Sequence, residues 1–418
     1  MDSSSKTPIS IRHRDMENAR KAAILNLLQK QVPEPVESDD EEENAIVVID
    51  NGSKTLRAGF GDADTPRHEL MSLVGRLPAH MVGVHPKEAY FGEDLFDPRK
   101  RRVLKIQHPM EDGKVKNWDD LESLWHNTIY NELRVELDKR SLVVTESVQT
   151  PLADREKMAS MLFECFNAHA IFIANRPLMS LYASGRTTGL VVQIGHGAGI
   201  VVPIIEGKIV EEAVTKLPLG GNQISEYFLR LLVETEQDID TNEFDFHELK
   251  EKYCYVAQDF EAEKKTVQQL PSVIEKHHDL KTNPDEKITI ASERFAAPEV
   301  LFKPELLKSE SDNAVPLHRA VLSSILKCDC DIRKELFQNI VLAGGTCMLP
   351  GLADRLQMEL VALGAPEGAD VAVHPPPDKN TAWTGAAVLS SVPEFSDFWV
   401  TKEMFETDGP SAVHDMSA

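Results

Sequence analysis

Two stretches of this chain repeat one pattern, and few folds accommodate it. Residues 45–60 read AIVVIDNGSKTLRAGF and residues 190–203 read LVVQIGHGAGIVVP. Each is an apolar, β-branched run of the kind that forms a buried strand, then a turn with glycine, then a second short strand. The correspondence of VVID-NGS with LVVQI-GHG fits a duplicated fold. Successive backbone N–H groups in a turn of this kind form a concavity that accepts an anion, and glycine lets a backbone approach a polyphosphate closely. In the first turn Ser53 adds a hydroxyl donor and Asp50 a carboxylate that can reach a hydrated metal ion. An ordinary β-hairpin carries the same pattern, so other residues must decide between the two.

At 418 residues the chain can form two domains around large cores. A net charge of −23 argues against non-specific nucleic-acid binding through the bulk surface. No apolar run approaches the length of a membrane span, and the first residues carry no apolar signal-peptide core. The five cysteines, Cys165, Cys254, Cys328, Cys330 and Cys347, are odd in number and scattered. Cys328 and Cys330 have no second ligand pair nearby, so reduced thiols are expected rather than a zinc site.

Along the chain, Asp15 is placed to cap a helix over residues 16–31, with Ala23, Ile24, Leu27 and Leu28 on one face and Pro33 and Pro35 beyond its end. The acidic run 37–43 (ESDDEEE) reads as a solvated linker or as a docking tag. The basic run 99–102 (RKRR) reads as a solvated turn, with a nuclear-import signal as its alternative. Apolar spacing predicts helices over 118–137, 154–167, 178–184 (with Pro177 in the first turn), 246–260 and 381–390. Buried strands are expected at 141–145, 170–174 and from Ile340, and a small strand pair from 288–290 and Phe295.

From residue 45 to His414 the chain resembles actin and the actin-related proteins. The resemblance rests on Asn117-Trp118-Asp119-Asp120, YNELRV at 130–135, REKM at 155–158, SLYASGRTTG at 180–189, CYVA at 254–257, KCDCDIRKEL at 327–336 and AGGT at 343–346. It implies an α/β fold of the actin/hexokinase type, a duplicated βββαβα unit forming two lobes (four subdomains) around a nucleotide cleft. The implied domains are an outer one over 45–185, with a small flexible-loop subdomain at about 73–112, an inner one over 186–378, and a segment 379–418 returning to the outer domain. Residues 1–44 form an extension outside the resemblance. The loop 77–87 is shorter than actin's, and the segment 306–316, aligned with actin's hydrophobic plug, is longer and polar at its tip.

The resemblance also implies which residues would hold ATP or ADP. On the phosphate side they are Asp50, Gly52, Ser53, Gly195 and Gly197, with Arg57 replacing a lysine and Lys54 replacing a glycine. Lys54 either substitutes for metal charge on the phosphates or blocks them. On the adenosine side they are Lys250, Glu251, Gly344, Gly345 and Lys379, with a surface ion pair as the alternative for Lys250 and Glu251. Asp50 is the candidate Mg²⁺ residue. Three family positions have changed. Gln193 and His196 stand where carboxylates are expected, and Arg176 occupies the place of the water-orienting glutamine. A guanidinium only donates, so Arg176 cannot accept a hydrogen from an attacking water.

The implied chemistry is a degenerate ATPase site, with nucleotide held with or without Mg²⁺, or not at all. The expected role is a non-hydrolysing structural subunit of a cytoskeletal or motor-associated assembly, of the dynein/dynactin or axonemal type. Its alternatives are a subunit that binds a helix of a nuclear chromatin-remodelling ATPase, and an ATP-dependent filament former. Direct nucleic-acid or membrane contact is not expected. The expected compartment is the cytoplasmic cytoskeleton, or the nucleus under the remodelling alternative.

Overall fold

The computed structural model describes residues 45–78, 89–235, 245–279, 287–307, 314–364 and 370–415. The extension 1–44 with its expected helix and acidic run, most of the loop 77–87, and the tip of the segment 306–316 lie outside the described residues. The chain divides into two units. One takes Met1–Thr187, Ile205–Lys208 and Asn380–Ala418, and the other takes Thr188–Ile204 and Ile209–Lys379.

The first unit is organised on β1 (Val47–Asn51), buried along its whole length. It is buried because it is flanked on both sides, antiparallel by β2 (Thr55–Phe60) and parallel by β4 (Ser141–Glu146). β3 (His68–Met71) extends the sheet beyond β2, and β5 (Ala170–Asn175) and the edge strand Val400–Thr401 extend it beyond β4. The near-continuous apolar runs of β4 and β5 are what parallel strands covered on both faces require.

The helix α1 (Arg176–Ala183) leaves β5 without a loop, and Pro177 fixes its first turn. Helix Thr381–Ser390 crosses α1 so closely that a Cβ on Gly385 would lie 1.8 Å from the Met179 carbonyl oxygen. In the same helix Trp383 is fully buried and its indole N–H donates to the Val48 carbonyl at 3.1 Å. Both contacts fix where α1 begins relative to β1.

Two helices of this unit depart from their expected ends. The helix from Trp118 is regular to His126, widens to π-helical turns over Asn127–Leu133, and stops there rather than at 137. Arg134 closes it in the left-handed region (φ 59°), and the Val135 N–H reaches back to the Ile129 carbonyl at 3.2 Å. The helix expected at 154–167 runs from Leu152 to Ser160 and is π-helical over Met161–Cys165. The wider turns bring Leu162, Phe163 and Phe166 into the core together.

The second unit repeats the arrangement of β1, β2 and β4. β6 (Gly189–Ile194) pairs antiparallel with β7 (Gly199–Ile205) across a glycine turn and parallel with β8 (Ile340–Ala343). The strand Val373–His374 continues the sheet beyond β8, and Thr215–Leu217 pairs with β7. α2 (Gly221–Thr235) and α3 (Phe246–Tyr253) pack beside this sheet, with Ile224, Phe228, Leu232 and Leu249 in its core.

The helix expected over 246–260 is two helices. Cys254 turns extended, the Tyr255 N–H bonds the Arg294 carbonyl at 3.0 Å, and the Val256 N–H bonds the Pro350 carbonyl at 2.8 Å. The chain becomes helical again at Phe260–Gln269, where the Asp259 carboxylate accepts from the Ala262 N–H. Phe295 lies in the short helix Glu293–Ala296, packed with Ala257 and Ile274, and not in a strand. The small strand pair is Lys276–Asp279 with Lys287–Ile290. Among the described residues no helix is long and apolar enough to cross a membrane.

Candidate functional site

The first candidate site is the β1–β2 turn with the start of α1. Asp50 is 4% exposed, and three elements converge on its carboxylate. Oδ1 accepts from the Thr145 hydroxyl of β4 at 2.6 Å and from Arg176 Nε of α1 at 2.9 Å. Oδ2 faces Arg57 Nη1 of β2 at 3.6 Å. Arg176 Nη2 also donates to the Asn51 carbonyl at 2.5 Å, and Arg57 Nη2 to Glu69 Oε1 of β3 at 3.1 Å.

The result is an alternating chain of charge, Arg176–Asp50–Arg57–Glu69. Burial pushes the Asp50 carboxyl upward. The charges of Arg176 and Arg57, with the hydrogen bonds of Thr145 and Arg176, outweigh burial and hold it below the usual carboxylate range. Arg176 is the first residue of α1, where a cation meets the positive end of the helix dipole. The Asp50 carboxylate offsets that repulsion.

The turn itself is tied inward. The Gly52 N–H donates to the Thr55 carbonyl at 3.1 Å, and the Gly52 carbonyl accepts from the Ser72 hydroxyl at 2.6 Å. A Cβ on Gly52 would lie 2.5 Å from the Thr55 carbonyl oxygen, so this turn needs glycine. The Ser53 hydroxyl accepts from the Gly113 N–H at 3.2 Å, and the half-buried Lys54 accepts at its carbonyl from the Ser72 N–H at 2.8 Å. Asn51 is fully buried, and among the described residues its carboxamide atoms have no hydrogen-bond partner.

Beside this network sits a group that sequence reasoning passes over. Glu146, at the end of β4, is buried with Oε1 3.2 Å from Arg155 Nε. The nitrogen is close but not aligned: Arg155 Nε and Nη2 and Glu146 Oε2 have no hydrogen-bond partner among the described residues. Burial therefore wins over the pull of Arg155, Thr150 and Arg176, and the carboxyl is pushed up to about 7. Thr145 and Glu146 follow the apolar run of β4 directly. Polar residues at the end of a buried parallel strand are the signal that marks them.

The second candidate site lies in the other unit, at the β6–β7 turn. The Gly195 N–H closes the turn on the Ala198 carbonyl at 3.1 Å. The Gly195 carbonyl accepts from the Gly221 N–H at 2.9 Å and from the Thr346 hydroxyl at 2.8 Å. Gly344 has φ 88°, and a Cβ there would lie 2.5 Å from the Ile194 carbonyl oxygen. Lys250 does not lie on the surface. It is 4% exposed, and its Nζ donates to the Gly221 carbonyl at 3.0 Å.

These contacts bring Gly195, Gly344 and Lys250 together, with Gly197 beside Gly220. Glu251, Gly345 and Lys379 are exposed. Gln193 pairs through its backbone with Ile200 and Ala343, and the His196 ring lies 5.1 Å from that of His247.

Hydrated Mg²⁺ favours an anionic oxygen shell. The one carboxylate of the first turn already neutralises guanidinium charge, and the adjoining Asn51 carboxamide is neutral, a partner for water. The donor set at Asp50 therefore does not fit a divalent ion. A Cβ on Gly345 would meet nothing within 4 Å.

Each unit carries a glycine hairpin at the head of its sheet, and this repeat defines a class of duplicated α/β folds. Within that class the family model for actin matches residues 41–245 and 241–417 of this chain, and the chain belongs to the actin family.

Proposed function

We propose that this actin-family chain is a non-hydrolysing member that works as a structural subunit of a larger cytoskeletal or motor-associated assembly. The observation that carries the reading is Arg176, clamped between the Asp50 carboxylate and the Asn51 carbonyl. Phosphoryl transfer to water in this class of site relies on metal charge and on a group that orients the water. Here a donor-only side chain stands at the second position and consumes the carboxylate needed for the first. Gln193 supplies no charge in place of a carboxylate. A chain with this chemistry binds by its surface and not by turnover.

The test is phosphate release from ATP by the purified chain. Release at the buffer background is expected. Steady release that Asp50→Asn abolishes would sink the reading. Affinity purification of the native protein with identification of stoichiometric partners tests the assembly. Dynein, dynactin or axonemal chains are expected, and recovery of the chain alone in abundance counts against a subunit role.

A further inference from the structure

The Asp50 network is built like a metal site whose ion is part of the chain. We infer that Arg176 is a tethered cation standing in for a divalent metal at Asp50, so that the first unit keeps its structure without divalent ion or nucleotide. This deepens the non-hydrolysing reading above and rests on it for what the turn no longer does.

Three observations carry it. Arg176 binds one carboxylate oxygen through Nε and one backbone carbonyl through Nη2. Those are the two kinds of oxygen ligand that hard divalent cations take from a protein. The guanidinium is rigid and planar, so both bonds are made at once without further ordering.

The cation is also held in place by the fold. It is the first residue of α1, followed by Pro177, and α1 is seated against Gly385 with no room for a methyl group. A tethered cation gives up no translational freedom when it binds, an advantage a diffusing ion lacks.

The charges also close. Arg176 and Arg57 carry two positive charges, and Asp50 and Glu69 carry two negative ones. A divalent ion entering beside Asp50 would face both guanidiniums.

The test uses Mn²⁺, whose free and bound forms are distinguished by electron paramagnetic resonance, on the full chain. The wild type is expected to bind Mn²⁺ only weakly at surface carboxylates, with no change on Asp50→Asn. Its melting temperature is expected to be the same in a chelator and in Mg²⁺, with or without ATP. Arg176→Gln is expected to create one Mn²⁺ site roughly 10–100-fold tighter than any in the wild type, the range over which neighbouring groups tune a metal site. Adding Asp50→Asn to that variant should remove the site.

A tight wild-type Mn²⁺ site lost in Asp50→Asn overturns the inference. So does a wild-type melting temperature that rises with Mg²⁺ or Mg-ATP, or an Arg176→Gln variant that folds and gains no site. If Arg176→Gln does not fold, the wild-type melting temperature in chelator, in Mg²⁺ and in Mg-ATP decides the question. A tight, Asp50-dependent Mn²⁺ site without phosphate release sinks this inference alone, and phosphate release without such a site sinks the proposed function alone.

Discussion

Replacing Asp50 by asparagine tests the charge chain at its centre. The substitution keeps the shape and leaves Arg176 and Arg57, both largely buried with side chains 14% and 12% exposed, facing a neutral amide. Breaking a buried pair by removing one partner costs about 3–5 kcal/mol, because the remaining charge stays desolvated. In a unit of roughly 150–250 residues each kcal/mol moves the transition by about 2–4 °C, so a fall of about 6–20 °C is expected. Arg176→Met should cost less, about 1.5–3 kcal/mol for lost charge-assisted hydrogen bonds, because Arg57 still faces Asp50. The assay is differential scanning calorimetry of the wild type, both single variants and the double variant. The double variant should lose less than the sum of the singles by about 0.5–3 kcal/mol, the scale of coupling between residues in contact. Losses that add to within about 0.5 kcal/mol would refute the argument that Arg176 and Asp50 hold each other.

Two further expectations concern the same unit. Glu146 has its carboxyl raised from 4.5 to about 7, so the folded chain keeps a proton that the unfolded chain releases. Its contribution therefore falls as pH rises through that window, by about 3 kcal/mol in all, and Glu146→Gln should flatten the decline in melting temperature between acid and mild alkali. Equal slopes in both proteins would exclude it. Gly385→Ala forces a methyl group onto the Met179 carbonyl. It should cost about 1–3 kcal/mol or more in thermal or denaturant melts, at the high end because a backbone oxygen cannot rotate away. An unchanged melt would mean that the two helices do not cross closely.

The sequence pattern carries the hairpins because they are local. Val47, Val48 and Ile49 are consecutive apolar residues followed by a turn that needs glycine at Gly52, and Gly189–Ile194 repeats the logic. It carries the identity of Arg176 as a donor-only residue, but not its contacts. Those depend on β1, β4 and the start of α1 being adjacent, and Thr145 and Arg176 lie 95 and 126 positions from Asp50. The break after Tyr253 has no local proline or glycine to announce it. Residues 255 and 256 leave the helix for hydrogen bonds with Arg294 and Pro350, which no short window contains. Asp259 before Phe260, by contrast, is a start signal of the ordinary kind. Lys250 reads as a surface charge on a polar helix, and the Gly221 carbonyl that accepts from its ammonium lies 29 positions away, outside any short window.

The indole of Trp383 bonds to a strand 335 positions earlier, and Val400 pairs with Ile171 at the sheet edge. The first unit is thus begun by β1 and completed by segments far along the sequence. During synthesis β1 emerges long before the helix Thr381–Ser390 and the edge strand Val400–Thr401 that complete its unit. In the interval β5 presents an open edge, and the apolar surface later covered by Trp383 faces solvent. Such nascent intermediates pair with the wrong partners and aggregate. The seam that locks α1 therefore leaves the nascent unit exposed to such pairing until residues 381–401 have joined it.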